Sequence, residues 1–135
     1  MGLLDLSSEA YEMLVAEAVT AHPAECCGVL GGRAGRVERI YPVANAAAAR
    51  ETRYEMDPAE LWSARCRVRV DELEVLGFYH SHPRTSPVPS SYDVERAYYP
   101  DAVYVIVGVE PRPAVRAFHI AGGRVREVAV TIGRM

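Results

Sequence analysis

The order of apolar and polar positions divides the chain into short helices and strands. In SEAYEMLVAEAVTA, residues 8–21, Ala10, Met13, Leu14, Glu17 and Ala18 fall at helical spacings. Ser7 or Ser8 offers an N-cap and Pro23 closes the segment, so a helix is expected there. CCGVLGGRAGRVERIYPV then reads as two strands, residues 26–31 and 36–43, joined by a glycine turn. ANAAAARETR is a connector of small and polar residues, and YEMD reads as a short strand. DPAELWSARCRVR opens with an Asp-Pro helix start: Asp57 caps, and Pro58 takes the first helical position, where its missing N–H forfeits no bond. EVLGFYHSH reads as a strand, PRTSPVPSS as a loop, and SYDVERAYYP as a short helix ended by Pro100. AVYVIVGVE, AVRAFHIAG and RVREVAVTI give three further strands with Pro or Gly in their connections. The expected fold class is α+β, a mixed sheet packed against helices, in one domain over residues 1–135.

Composition narrows the function classes. A chain of 135 residues suits one domain with a continuous core. Half the residues are hydrophobic and 24% are charged, which is globular and not disordered. A net charge of -3 and a pI near 5.8 argue against a nucleic-acid partner held through phosphates. All 15 basic residues are arginine. No apolar run approaches a membrane span, and the N-terminus lacks the basic start and small-residue cleavage site of a signal peptide. Cys26, Cys27 and Cys66 are too few, and odd in number, for a disulfide framework. These features lead us to expect a cytoplasmic protein without a membrane partner.

The chemistry concentrates in HSHPRTSPVPSSYD, residues 80–93. Side chains alternate along a strand, so His80 and His82 project to one side and Ser81 to the other. Two imidazoles on one face can share a tetrahedral metal. Asp93 follows after a loop restrained by Pro83, Pro87 and Pro89, each of which fixes a backbone φ. Two histidines and one carboxylate leave a fourth position open, the pattern of a catalytic zinc and not of a closed structural one. Each piece alone has an ordinary explanation: a surface His-x-His pair, a capping box in SSYD, a proline loop. Their joint spacing is specific.

His80-Ser81-His82-Pro83 with Ser90 and Asp93 resembles the signature of the JAMM (MPN+) metalloproteases. That family carries a glutamate after its first helix, and PAECCGVLGG places Glu25 there. The likeness runs over nearly the whole chain and is to the small prokaryotic members. It implies an architecture like that of cytidine deaminases and one Zn²⁺ per chain held by His80, His82 and Asp93. It implies Glu25 as the proton carrier and Ser90 as a hydrogen-bond donor to the oxyanion of the tetrahedral intermediate. The Ser90 hydroxyl also faces a competing role as a helix cap. The implied substrate is a ubiquitin-like or sulfur carrier protein with a Gly-Gly tail, cut to release a peptide or a cysteine. An extended tail of that kind could add to an exposed strand edge, and a homodimer is left open. The alternatives are a non-catalytic MPN scaffold, disfavoured by the complete ligand set, and a cell-wall or phage-type peptidase. Adjacent Cys26 and Cys27 point to opposite faces of a strand and read as buried, not as a shared metal site. His22 and His119 read as structural, Asp101 as a turn residue, and Tyr92, Tyr98, Tyr99 and Tyr104 as packing residues.

Overall fold

Residues 2–133 are described by the computed structural model, and their strands form a ring. The elements are β1 (Leu3–Ser7), α1 (Ser8–Ala21), β2 (Cys27–Arg33), β3 (Arg36–Val43), α2 (Pro58–Val70), β4 (Glu74–His82), α3 (Ser91–Glu95), β5 (Val103–Gly108), β6 (Ala114–Ala121) and β7 (Arg124–Gly133). The strand order is β1-β3-β2-β4-β5-β6-β7, closed by β7 against β1. β1 runs parallel to both of its neighbours and β4 parallel to β5; the other pairs are antiparallel. The sheet is therefore mixed, as expected, but it is a closed barrel. Each strand has two neighbours in the ring, but β3 meets β1 only through Arg36 and Val37, so the rest of β3 keeps one side without a strand partner among the described residues.

The helices sit on opposite faces of this sheet. Ser7 caps α1, its Oγ accepting from the Ala10 amide at 3.0 Å. Ala10, Leu14 and Ala18, four residues apart, bury one stripe of α1 against β1, β3, β5 and β7. Met13, in the same periodic set, is half exposed. That inner cluster includes Leu4, Leu6, Leu30, Tyr79, Val105 and Val107. On the outer face α2 packs Ala64 and Val68 over β2, β3 and β4, with Val29, Phe78, Tyr104 and Ile106 beneath. Adjacent residues divide between the clusters, Phe78 outward and Tyr79 inward, as the strand period requires. β5, VYVIVG, is buried throughout because both faces are covered. Among the described residues no helix is long and apolar enough to cross a membrane.

Three elements differ from the sequence reading. β1 was not anticipated: LLDLS is short, runs directly into a helix, and its partners are remote in the chain. Residues 54–57 form only an isolated bridge, Asn45 to Met56, because the segment folds back on Asn45 instead of joining the ring. α3 ends at Glu95, well before Pro100. There the chain turns so that the Tyr99 ring meets Phe78 at 5.1 Å and its amide donates to the Tyr104 hydroxyl at 3.1 Å. Those aromatic contacts outweigh another helical turn.

The parallel β4–β5 pair that carries the histidines depends on Gly77. A Cβ there would stand 1.8 Å from the Val103 carbonyl oxygen, a backbone atom that cannot swing aside. Gly77→Ala should cost about 3 kcal/mol, the upper end for overpacking, measured as a lower denaturation midpoint in urea. An unchanged midpoint would contradict this close approach.

Candidate metal centre

β4 outlasts its partner β2. The β2 pairing reaches Cys27 opposite His80, while β5 continues to Gly108 opposite His82. The strand therefore carries His80 and His82 to the rim of the barrel, on the face shared with Phe78. Both are buried, at 2% and 5% exposure, and Ser81 projects the other way, fully buried. Ser81 pins the chain before β2: its Oγ accepts from the Cys26 amide at 2.8 Å and its amide donates to the Cys26 carbonyl at 3.0 Å.

Asp93 arrives on α3. Ser90 caps this helix in a reciprocal box, its Oγ accepting from the Asp93 amide at 3.1 Å and its amide donating to Asp93 Oδ2 at 2.9 Å. As an acceptor the Ser90 hydroxyl keeps its own proton, so capping and donation do not compete.

The two histidines and the aspartate converge. His80 Nε2 lies 3.2 Å from His82 Nε2, and Asp93 Oδ2 lies 3.2 Å from His80 Nε2 and 3.0 Å from His82 Nε2. Ligand atoms around a tetrahedral ion at about 2.0–2.1 Å stand about 3.3 Å apart, so this triangle matches a zinc-sized ion. The three form a group of side chains able to hold a metal ion. His82 Nδ1 lies 2.8 Å from the Ser86 carbonyl, which can only accept. With Nδ1 donating to that carbonyl, a neutral His82 ring leaves its Nε2 lone pair free for a metal, whereas the protonated ring donates from Nε2 to Asp93. The Tyr54 ring stacks on His80, centroids 4.4 Å apart, and fixes the orientation of that ring.

Charges balance within the cluster. Burial raises the Asp93 carboxyl, but hydrogen bonds from His80 and His82 more than offset it and hold the group well below the usual carboxylate range. Burial depresses His80; for His82 burial acts the same way, yet the Asp93 and Ser86 hydrogen bonds win and raise it.

Glu25 follows the first helix, in the loop before β2, and is 6% exposed. Its Oε1 has no hydrogen-bond partner among the described residues. An orphaned buried carboxylate oxygen is costly and marks a place where another molecule or ion belongs. Burial raises its pKa to about 7, opposed by the charge of His82. A group raised in the folded state binds its proton more tightly than the unfolded chain does. In chelator-treated protein, stability should therefore fall as pH rises from about 4.5 to about 7. Glu25→Gln cannot ionise, so its advantage over the parent protein should grow across that window by about 3 kcal/mol, read from urea titrations at several pH values. A gap that stays constant with pH would contradict burial of an ionisable carboxyl here.

Other expected roles are met differently. Cys26 and Cys27 are buried and unpaired, and burial pushes the Cys26 thiol up to about 12, which disfavours a thiolate. His22 pairs with Glu110 at 2.7 Å, and His119 Nδ1 meets the Ala102 carbonyl at 3.1 Å. Asp101 lies in a turn. Tyr104 is core, whereas Tyr98 and Tyr99 are exposed and line a cavity of about 300 Å³ with Tyr54, Met56 and Phe78. Tyr92 is half-buried beneath the Arg53 and Arg96 guanidinium groups. Sequence reasoning missed Tyr54, Ser81, the Ser86 carbonyl and Asn45. Only Asn45 carried a signal: it is the one side-chain carboxamide in the chain.

Two histidines and an aspartate thus converge at the rim into a group able to hold a metal ion, and the charge of the buried Glu25 is close enough to act on His82 and Asp93. A family described as prokaryotic homologs of the JAB domain matches residues 7–121, and the chain belongs to that family. It is 41% identical to a protein named desampylase from Haloferax volcanii, over 82% of this chain and 79% of that one. It is 37% identical to a protein named CysO-cysteine peptidase from Mycobacterium tuberculosis, over 96% of this chain and 91% of that one. A solution structure of a protein from Desulfitobacterium hafniense superposes with a TM-score of 0.89 at 34% identity, covering 98% of this chain and 94% of that one.

Proposed function

We propose that the chain, acting as one domain, is a cytoplasmic zinc peptidase that hydrolyses the amide bond at the Gly-Gly end of a ubiquitin-like sulfur carrier protein, releasing a peptide or a cysteine. The observation that carries this is the buried His80–His82–Asp93 triangle, with Glu25, whose Oε1 has no partner among the described residues, close enough for its charge to act on His82 and Asp93. The names of the relatives support the substrate class, since one is a peptidase of CysO-cysteine.

His80 and His82 through Nε2, and Asp93 through its carboxylate, would hold the zinc. When bound, the metal supplies Lewis acidity toward the scissile carbonyl and lowers the pKa of a water molecule to about 7. Glu25 takes the proton of the attacking water as its oxygen bonds to the carbonyl carbon. It then delivers that proton to the departing amine as the C–N bond breaks. The proton returns to solution with the product, so Glu25 ends as it began. Ser90, its lone pair occupied by the Asp93 amide, donates its O–H to the oxyanion of the tetrahedral intermediate. The Ser86 carbonyl and Tyr54 keep the imidazoles aimed. The tail lies across the barrel rim, and residues without side chains come closest to the recessed His80, His82 and Asp93.

A carrier ending in Gly-Gly and extended by one cysteine should be cut directly after the second glycine, as mass spectrometry of the products would show. Replacing that glycine by valine should slow cleavage by roughly tenfold to two-hundredfold, since a few methyl groups in a tight slot cost about 1–3 kcal/mol. Equal rates on both carriers, or ready cleavage of unrelated unstructured peptides, would point to a general peptidase.

A further inference from the structure

The sequence holds no glutamine and no second asparagine, and its one carboxamide uses all its hydrogen-bonding capacity at a single place. Asn45 Nδ2 donates to the Glu25 carbonyl and to the Arg53 carbonyl, each at 3.0 Å. Its Oδ1 accepts from the Ala47 and Glu55 amides, each at 3.0 Å. Two donors and two acceptors are the full complement of an amide side chain. Aspartate lacks the donors and alanine lacks everything.

The junction fastens two things together. One is the peptide of Glu25, whose amide also donates to the Arg50 carbonyl at 2.7 Å. Both sides of the Glu25 backbone are thus held by the connector between β3 and α2. The other is the connector itself, residues 44–57, closed at its neck by the Asn45–Met56 bridge, the Ala46 amide to Glu55 carbonyl bond at 2.7 Å and the Asp57 amide to Ala44 carbonyl bond at 3.1 Å. This connector delivers Tyr54 onto the His80 ring, and Arg53 over the Tyr92 ring at 4.8 Å, next to Asp93 in the chain. Among the described residues Glu25 Oε1 has no partner to aim its carboxylate. Its direction is set through its backbone, and the Asn45 bond is one of the restraints on that backbone.

We propose that Asn45 is a positioning residue for Glu25, orienting the proton-transferring carboxylate toward the metal centre by anchoring the Glu25 carbonyl to the folded connector. The inference rests on the proton-transfer role proposed for Glu25. Loss of Asn45 lets that carboxylate wander, which slows turnover and leaves the three ligands and the substrate's ground-state contacts in place.

The test compares Asn45→Ala, Asn45→Asp, Glu25→Gln and the double variant Glu25→Gln/Asn45→Ala, zinc-loaded, on a Gly-Gly carrier extended by cysteine. We expect kcat to fall by about tenfold to a hundredfold in both Asn45 variants, as for other supports of a metal site, with KM changed by less than about threefold. Zinc content by elemental analysis should match the parent protein. Hydrogen exchange should speed up at the Ala47 and Glu55 amides and stay unchanged in β2 and β4. In the double variant Asn45→Ala should add no further loss, because a residue that works through Glu25 has nothing left to position. Wild-type kcat in the Asn45 variants, loss of zinc from them, or equal factors in the presence and absence of Glu25 would each overturn the proposal. Failure of both Asn45 variants to fold would overturn it in favour of a purely structural junction. A fully active Glu25→Gln would instead sink the proton-transfer reading itself, and that single variant shows it independently of Asn45.

Discussion

Asp93→Ala should strip the protein of zinc and reduce hydrolysis to the background rate, with His82→Ala close behind. Asp93 Oδ2 lies 3.0–3.2 Å from both imidazole nitrogens, and the same oxygen accepts from the Ser90 amide at the start of α3. Its removal deletes the one anion of the triangle and opens the capping box together. Two neutral histidines bind the ion far more weakly, and without it no neutral-pH nucleophile is generated. Several orders of magnitude in kcat/KM should therefore go with the metal. Elemental analysis should find about one zinc per chain in the parent protein and almost none in the variant. The structural loss should be smaller, since the barrel strands do not depend on α3, and circular dichroism should remain that of a folded protein. Stoichiometric zinc in both Asp93→Ala and His82→Ala would mean that the ion sits elsewhere.

Glu25→Gln should give the opposite dissociation, with the metal retained and turnover lost. The glutamate is not among the three clustered residues, and one of its oxygens has no partner among the described residues. Glutamine fills the same volume and keeps the backbone bonds to Arg50 and Asn45, but it can neither take nor return a proton. General acid–base assistance contributes about 10²–10⁴ in rate, and the loss in kcat should fall in that range. Zinc content should be unchanged. Wild-type hydrolysis by this variant would remove Glu25 from the mechanism.

How much could be read beforehand follows from the range of the interactions. The α1 and α2 boundaries were legible because caps are local: Ser7 and Asp57 each bond an amide three residues on. The His80–His82 pairing on one face was legible because strand alternation is a property of the chain itself. The arrival of Asp93 beside them was suggested by motif spacing and the proline loop, and the structure places it there. β1 was not legible, since its partners β3 and β7 lie far along the chain. Closure of the sheet escaped notice for the same reason, and so did the junction at Asn45, whose partners span residues 25 to 55. The end of α3 was misjudged because Pro100 is a strong local stop, whereas the turn is made earlier by Phe78 and Tyr104, distant residues whose contacts no local pattern announces.

The ring is closed by the first and last strands, Leu3 facing Ala129 and Ser7 facing Gly133. During synthesis from the ribosome, the first strand thus waits for nearly the whole chain to emerge before its final neighbour exists. Both elements of the candidate metal centre, β4 and α3, have by then been made. Until closure, β6 and β1 expose unpaired backbone to any other nascent chain, a hazard for sheets in general. So large a sequence separation between pairing strands belongs to the slow end of folding rates. A chain ending before β7 would keep every residue of the candidate metal centre and still leave the barrel unsealed, prone to pair with its own copies.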